Sequence, residues 1–346
     1  MRLLINGRAL RQSPVTGVQR YARSMVAWLA RLGAAFDVAC PPGVSRLRGH
    51  LWEQWTLPGL AGGYDVLFCP ANLAPLRPAG AARVVVTLHS VAFAVVPDAY
   101  RWWFRWYYRR MVPRVLDRAA AVIVVSQSER GRIAELYPQA AAKLTVIPHG
   151  VDAEVFHPHA RGGRVERPYV LFVGPAGRLK GLALALAALE RISAKVPHRL
   201  VVVGGPSAVL AGGRRWPAVP AALRRRVDFL GPIADTSRLA GLYAGADALV
   251  LPSRYESFGL PALEAMACGT VVVCSDLPAL AELLGPAGVR VRGDAPEAWA
   301  GALESVLADP ARRKELEAQS LLRAAEFSWR RCAERTLQVL RRAAES

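Results

Sequence analysis

The stretch that decides the fold is Asp247-Ala-Leu-Val-Leu-Pro-Ser-Arg-Tyr-Glu-Ser-Phe-Gly-Leu-Pro-Ala-Leu-Glu-Ala-Met-Ala-Cys-Gly-Thr-Val-Val-Val-Cys-Ser275. It begins with a short apolar run, Ala248–Leu251, which is typical of a buried strand. A helix is predicted over Ala262–Cys268, because Pro261 suits the first helical position and Gly269 is a common helix end. A second apolar run, Thr270–Cys274, follows. The stretch therefore predicts a βαβ crossover in a parallel sheet.

Two glutamates of this stretch lie where ligands bind in parallel sheets, beyond the carboxyl ends of the strands. Glu256 is in the predicted loop, and Glu264 is in the first turns of the helix. The backbone N–H groups at the helix start would favour an anion; they belong to Ser257, Phe258, Gly259 and Leu260. Carboxylates on either side of an anion site suit a nucleotide sugar. Either glutamate alone could equally be an ordinary solvated charge, so the inference depends on the sequence around them.

The whole segment 252–270 resembles the donor-site signature of the retaining glycosyltransferases of family four. This resemblance implies the GT-B fold, an α/β architecture of two doubly wound Rossmann-like domains that face a central cleft. It also implies that Glu256 contacts the donor sugar and that Glu264 holds the ribose hydroxyls. Ser257 stands where glycine is commoner, and Val271 stands where a proline usually follows Gly-Thr. Neither difference removes a carboxylate or an N–H donor.

With 346 residues the chain exceeds the usual size of a single hydrophobic core, which predicts two domains. With the resemblance, we expect an acceptor-side domain over residues 1–155 and a nucleotide-sugar-binding domain over residues 156–325. The polar run Asp152–Arg167 is the predicted linker. A final helix at about residues 326–346 is expected to pack back on the first domain.

Composition restricts the partners and the compartment. A net charge of +18 predicts an anionic partner, and no helix-turn-helix, zinc-finger or RNP pattern favours nucleic acid. No apolar run reaches the ~18 residues of a membrane span, and the first apolar segment is too short for a signal peptide. The five scattered cysteines predict neither disulfides nor a metal site. We therefore expect a cytoplasmic protein, peripheral at the inner face of the membrane.

In the first domain the resemblance offers three site candidates, Gly17, Arg20 and His89. Gly17 opens a segment similar to the family's glycine loop, with Arg20 close behind it; a simple helix start is an equal alternative. His89 follows the predicted strand Arg83–Leu88, where a lone histidine is more often a core residue. The resemblance to the family's Thr-x-His-Asp motif implies that His89 faces the reacting sugar. Ser90 replaces the usual aspartate.

In the second domain the candidates follow predicted strands. The strand Tyr169–Val173 leads into Gly174, and the resemblance places Lys180 and Arg178 at the donor diphosphate. Arg178 lies one residue out of the shorter family pattern. By the same resemblance, three residues after another strand line the nucleobase; they are Gly231, Pro232 and Ile233. The insertion Pro206–Pro220 is predicted to be a mobile surface loop.

The resemblance implies a retaining transfer of a hexose from a nucleotide-diphosphate sugar, without metal or cofactor. The catalytic candidates are Glu256, His89, Lys180 and Arg178. The Trp-Glu-Gln segment at residues 52–54 resembles bacterial mannosyl- and rhamnosyltransferases of polysaccharide assembly, which favours mannose from GDP-mannose over dTDP- or UDP-sugars. The expected acceptor is a saccharide, free or linked to polyprenyl diphosphate. The alternative is a non-enzymatic cationic membrane-binding protein with a degenerate donor site.

The segment Tyr100–Pro113 is explained by none of these motifs. As a helix it would align three arginines at four-residue spacing, Arg101, Arg105 and Arg109. Three tryptophans flank this basic ridge, Trp102, Trp103 and Trp106. The combination is typical of helices at an anionic membrane surface. The alternative is that the aromatic side packs on the first sheet.

Overall fold

A computed structural model shows two compact units, each with its own parallel sheet. It describes residues 1–12, 16–43, 45–77, 79–162, 165, 168–213 and 215–345, and the side chain of Arg46 is also outside the description. The first unit comprises Met1–Val95, Arg105–Gly150 and Ser328–Ser346, and the second comprises Val96–Phe104 and Val151–Phe327. The segment 96–104, expected in the first domain, is thus grouped with the second unit. Four residues of the predicted linker, 163, 164, 166 and 167, lie outside the described ranges.

The first unit contains a six-stranded sheet in the order β2-β1-β3-β4-β5-β6. Its strands are β1 Leu3–Asn6, β2 Phe36–Ala39, β3 Val66–Cys69, β4 Arg83–Leu88, β5 Ala121–Val124 and β6 Leu144–Val146. All five neighbouring pairs are parallel. The helices that precede the second sheet in sequence are α1 Gly17–Arg31, α2 Arg46–Trp55, α3 Leu57–Ala61, α4 Ala92–Val95, α5 Trp102–Arg118 and α6 Gln127–Leu136. Because parallel strands need crossovers, helices separate most of these strands along the chain.

The second unit repeats this design in the order β12-β11-β10-β7-β8-β9, again with every neighbouring pair parallel. Its strands are β7 Tyr169–Val173, β8 Arg199–Val203, β9 Val227–Gly231, β10 Ala248–Leu251, β11 Val271–Ser275 and β12 Val289–Val291. Its helices are α7 Leu182–Ile192, α8 Thr236–Gly245, α9 Leu260–Ala267, α10 Pro278–Leu284, α11 Pro296–Leu307 and α12 Pro310–Ala324. The final helix, α13 Trp329–Glu345, belongs to the first unit and packs on α1.

The crossover that the sequence predicts is β10–α9–β11, in which Ala248 lies beside Val271. The helix begins at Leu260, two residues earlier than predicted, so Pro261 is in its first turn. Gly259 precedes it with φ +101°, and Gly269 follows it with φ +73°. A Cβ at Gly259 would also lie 2.7 Å from the side chain of Leu280. Only glycine accepts this combination without strain.

The Trp-Glu-Gln segment has a structural explanation in the first unit. The carboxylate of Glu53 in α2 is fully buried and accepts hydrogen bonds from Arg8 Nε at 2.9 Å and Asn6 Nδ2 at 2.6 Å. Burial alone would raise the pKa of Glu53, but the Arg8 charge and His50 outweigh it and hold the pKa below its usual value. Its neighbour Gln54 bonds the backbone of the 74–76 loop. The segment therefore fixes α2 to the end of β1.

Candidate active site

A buried ion pair lies at the carboxyl edge of the second sheet. Lys180 follows β7, and its Nζ is 2.5 Å from Oε1 of Glu256, which follows β10. The hydroxyl of Ser253 donates to the same oxygen at 2.8 Å. Gly174 leaves room for the lysine stem, because a Cβ there would be 3.1 Å from Lys180 Cγ. Two of the predicted catalytic residues are thus in direct contact.

The loops that carry this pair are packed against each other. Gly181, at φ +71°, lies against the loop that follows β10. A Cβ on this glycine would be 2.0 Å from the carbonyl oxygen of Pro252. The backbone N–H of Arg254 donates to the carbonyl of Leu179 at 2.9 Å. These backbone contacts hold together the two loops that carry the lysine and the glutamate.

Arg254 also binds a segment distant in sequence, which sequence analysis missed. Its guanidinium donates to both carboxylate oxygens of Asp98, at 2.6 and 3.2 Å. This hydrogen bond from Arg254 lowers the pKa of Asp98. Nothing local to Asp98 in the sequence could have revealed the pair.

The backbone beside Asp98 is held by the predicted surface loop 206–220, of which Arg214 lies outside the described residues. Ala211 donates to the Ala99 carbonyl at 2.8 Å, and Arg101 donates to the Val209 carbonyl at 2.9 Å. Arg178 is exposed, and its N–H is 3.4 Å from the Ala211 carbonyl. This loop is therefore a platform that joins residues 99–101 to the loop of Arg178.

A glycine lies at or just after the end of each of β7, β8 and β9, namely Gly174, Gly204 and Gly231. A Cβ on Gly204 would lie 1.9 Å from the carbonyl oxygen of Gly174. The N–H of Gly204 donates to the carbonyl of Gly231, which has φ +69°. Pro232 is exposed and Ile233 is half-buried just beyond. This glycine edge of the sheet allows a ligand to approach the backbone closely.

The remaining residues predicted to bind the nucleotide sugar lie at the start of α9 and in the loop before it. Glu264 is buried in the helix interior. Phe258 is buried against the ring of Phe327, with ring centroids 6.0 Å apart, while Ser257 and Leu260 are half-buried. The structure thus places the predicted N–H donors at the start of a helix, and their contact with a donor stays a prediction.

A cleft of about 560 Å³ adjoins the ion pair at the ends of β10, β11 and β12. Its lining includes Ser253, Arg254, Asp276, Arg292 and Asp294. Asp276 holds Arg290 at 3.1 Å and Arg292 at 2.9 Å. Because arginines and aspartates balance each other here, the cleft is polar with little net charge.

His89, the catalytic candidate of the first unit, is buried at the end of β4. Its Nε2 is 2.8 Å from the carbonyl of Pro70, so this nitrogen carries the proton and Nδ1 is the acceptor. Its backbone N–H donates to Asn72 Oδ1 at 2.7 Å. Burial lowers the pKa of His89 to about 4, despite the Pro70 hydrogen bond. The imidazole is therefore neutral near pH 7.

A second buried histidine, His149, was missed as a site candidate. Its ring centroid is 5.3 Å from that of His89, and both rings contact Tyr21. The signal in the sequence is the Pro-His-Gly-Val-Asp element at the end of the first domain. Gly17 begins α1 and is exposed, but residues 13–15 before it lie outside the described ranges.

Comparison with known proteins decides the fold family. Residues 15–155 match Glycosyltransferase Family 4, and residues 167–309 match Glycosyl transferases group 1. Sucrose-phosphate synthase from Thermosynechococcus elongatus is similar over 99% of this chain and 98% of its own, with 24% identity and a TM-score of 0.78. The chain has the GT-B glycosyltransferase fold. Another GT-B structure, Anabaena HepE in complex with UDP-glucose, gives a TM-score of 0.71 at 16% identity and covers 99% of both chains.

Among curated relatives, the D-inositol 3-phosphate glycosyltransferase of Kineococcus radiotolerans is 34% identical over 67% of this chain and 59% of its own length. The chain thus spans about three-fifths of the length of this relative. The relative's name specifies an inositol phosphate and does not mention mannose or rhamnose.

The predicted basic ridge on α5 is wrong in part. The helix begins at Trp102, so Arg101 precedes it, and Arg105 is half-buried. The tryptophans are exposed as the sequence predicts, with 75% of Trp102, 39% of Trp103 and 57% of Trp106 accessible. The exposed arginines of this helix's first half are Arg109 and Arg110.

The described part of the chain contains neither a membrane-spanning helix nor a cluster of metal ligands. No helix there is long and apolar enough to cross a membrane. Within the same residues, no three His, Cys, Asp or Glu side chains are grouped so that they could hold a metal ion.

Proposed function

We propose that this protein transfers a hexosyl residue from a nucleotide-diphosphate sugar to an acceptor hydroxyl, with retention of configuration. The observation that carries the proposal is the Lys180–Glu256 pair at the carboxyl edge of a GT-B sheet. At this edge the ammonium can pair with the donor diphosphate, and the carboxylate can accept hydrogen bonds from the sugar hydroxyls. The fold family supports both assignments.

The pair also suggests how charge is handled during transfer. A donor diphosphate would share the Lys180 ammonium with Glu256 and so weaken the ion pair. Hydrogen bonds from the sugar hydroxyls to the Glu256 carboxylate would partly replace the lost interaction. As the bond between sugar and diphosphate breaks, negative charge grows next to a fixed cation in a partly dry site. The acceptor oxygen bonds to the anomeric carbon on the face that the diphosphate leaves, and the departing diphosphate accepts the proton of the acceptor hydroxyl. No side chain then forms a covalent bond to the sugar.

The rest of the donor is assigned by position. Glu264 would accept hydrogen bonds from the ribose hydroxyls, and the glycine edge at Gly174 and Gly231 would admit the phosphates and the base. His89 would face the sugar as a neutral imidazole. Arg178, which is exposed, would reach the diphosphate beside Lys180 and complete a site that uses no metal ion.

Donor and acceptor classes are proposed as follows. The Trp-Glu-Gln resemblance favours GDP-mannose, with dTDP- and UDP-sugars as alternatives. The acceptor is a saccharide or a polyprenyl-diphosphate-linked saccharide, and the name of the Kineococcus relative adds a phosphorylated inositol to the acceptors worth testing. The diphosphate-linked saccharide and the phosphorylated inositol both carry hydroxyl groups near phosphate, and such anionic acceptors agree with the net charge of +18.

The test is nucleotide release from a panel of GDP-, UDP- and dTDP-sugars, with and without each acceptor and with and without a chelator. We expect one donor to be consumed faster when acceptor is present, and no loss of activity with EDTA. If no donor is turned over and none raises the melting temperature, the proposed transferase activity is refuted. Activity that EDTA removes and magnesium or manganese restores would refute the metal-free site.

We also propose that the protein binds the inner membrane face through α5. Exposed tryptophans beside Arg109 and Arg110 suit a bilayer interface, and each arginine contributes about 1 kcal/mol near an anionic leaflet. Replacing both arginines by glutamate should abolish sedimentation with anionic vesicles at low salt while donor hydrolysis continues. If the wild type does not sediment with such vesicles, this attachment is wrong.

A further inference from the structure

The first unit exposes a row of large apolar side chains on α2 and α3. We call these residues the α2–α3 stripe: Leu47 is 71% accessible, Leu51 52%, Trp55 61% and Leu60 50%. The first three recur every four residues and so lie on one face of α2. Single exposed apolar residues are normal, but a contiguous row of this kind marks an interaction site.

The stripe is not needed to fold α2. The opposite side of this helix already packs inward through Trp52 and Glu53, both buried. Ser45 caps the helix start by accepting the N–H of Arg48, and Gln54 fixes the neighbouring loop. The apolar residues on the outer face therefore have no role in these contacts.

The exposed charges that the structure describes on α2, and the charge that packs on Trp55, are positive. The only acidic side chain in α2 and α3 is Glu53, which is buried. Arg48 is exposed on α2, and the guanidinium of Arg77 lies 3.6 Å from the centroid of the Trp55 ring. An apolar row with a cationic rim complements a surface that is apolar inside and anionic at its edge.

The stripe is next to the helix already proposed to meet the membrane. The rings of His50 in α2 and Tyr107 in α5 are 5.5 Å apart, and His50 Nδ1 is 3.4 Å from the Tyr107 hydroxyl. Within the same unit, Arg110 lies over the ring of Trp106. Both helices thus present tryptophan together with arginine.

We propose that the α2–α3 stripe inserts into the interface of an anionic bilayer. This inference rests on the membrane attachment proposed above and adds an apolar component to it. A second copy of the chain is a poorer occupant, because a two-fold dimer would bring the arginines of both stripes together. The leucines would enter the acyl boundary, while Trp55 and Arg77 would stay at the headgroups.

The two components differ in their dependence on salt. Arginine attraction is largely screened at roughly 1 M NaCl, where the Debye length is about 3 Å, whereas apolar insertion persists. The experiment measures sedimentation with vesicles of equal parts phosphatidylglycerol and phosphatidylcholine at low salt and at high salt. It compares wild type with a variant carrying Leu47→Gln, Leu51→Gln and Trp55→Gln, which changes only exposed side chains.

We expect the wild type to keep measurable binding at high salt. The variant should bind the vesicles roughly tenfold more weakly under the same conditions. A control with Leu136→Gln and Leu322→Gln, two exposed leucines elsewhere, should bind like wild type. If the variant matches wild type at high salt, the stripe is not inserted, although low-salt binding would still support α5. A wild-type dimer that the variant dissociates would make a second copy the occupant and overturn the proposal.

Discussion

Nζ of Lys180 and Oε1 of Glu256 are 2.5 Å apart, although 76 residues separate them in sequence. The pair is largely dry, with 15% of the lysine side chain and 7% of the glutamate side chain accessible. A buried ion pair is costly to break by removing one partner, because the other charge is then left in a poorly solvated place. Each residue therefore influences both the folded loops and the proposed chemistry.

Lys180→Ala should lower kcat/KM by about a hundredfold or more, because the developing diphosphate charge loses its fixed cation. Steady-state kinetics with the donor found in the panel measures this. Lys195→Ala is the matched control, since Lys195 pairs with Glu304 at 2.8 Å on the surface of the same unit. Equal activity of the two variants would contradict the role of Lys180.

Glu264→Ala should weaken donor binding, because buried ribose hydroxyls would lose a charged acceptor worth about 1.5–3 kcal/mol. Calorimetric titration with the nucleoside diphosphate alone isolates this contact from the sugar. Glu315→Ala, an exposed helix position in the same unit, should leave the affinity unchanged. Unaltered nucleotide affinity in the Glu264 variant would remove the ribose assignment.

Asp98→Asn should lower kcat by roughly tenfold with little change in melting temperature. The carboxylate holds Arg254, whose backbone bonds the Lys180 loop, so its loss loosens the positions of reacting groups. Exposed ion pairs contribute little to stability, which is why the melting temperature should not change. Glu297→Gln breaks a comparable pair with Arg191 and should change neither quantity. A parallel fall in stability and kcat would indicate simple unfolding instead.

The sequence predicts the sheet well because its signals are local. The strands Arg83–Leu88, Tyr169–Val173 and Ala248–Leu251 have the predicted bounds, and each is an apolar run followed by polar or turn-forming residues. The sequence predicts the start of α9 two residues late, because a glycine at positive φ, Gly259, precedes the helix and lets it begin ahead of the proline.

Long-range partners were beyond sequence reasoning. The contact of Asp98 with Arg254 joins residues 156 positions apart, and no periodicity reports such a pair. The burial of Glu53 in an amphipathic helix also depends on Arg8, another distant residue. On α5 the four-residue spacing was real, but the helix starts after Arg101, so spacing alone could not show which arginines are exposed.

Stability should fall as the pH drops from 6.5 towards 4, because two buried histidines are neutral in the folded protein. The pKa of His89 is about 4 when folded and about 6.5 when unfolded, so below pH 6.5 the unfolded chain binds more protons. The free energy of unfolding has its full value well above pH 6.5 and is lower by about 2 kcal/mol at pH 5. Burial, together with the nearby His89, lowers the pKa of His149 and acts in the same direction.

Urea unfolding at pH 7 and pH 5 measures this effect while most carboxylates remain ionised. The expected result is a smaller free energy of unfolding at pH 5 in the wild type and a weaker pH dependence in His89→Gln. The glutamine retains a donor for the Pro70 carbonyl, so the variant removes the titration more than the hydrogen bond. His159→Gln, at an exposed position in the second unit, should keep the wild-type slope. If the wild type is equally stable at both pH values, His89 is not buried as a neutral imidazole, and its proposed role beside the sugar loses its basis.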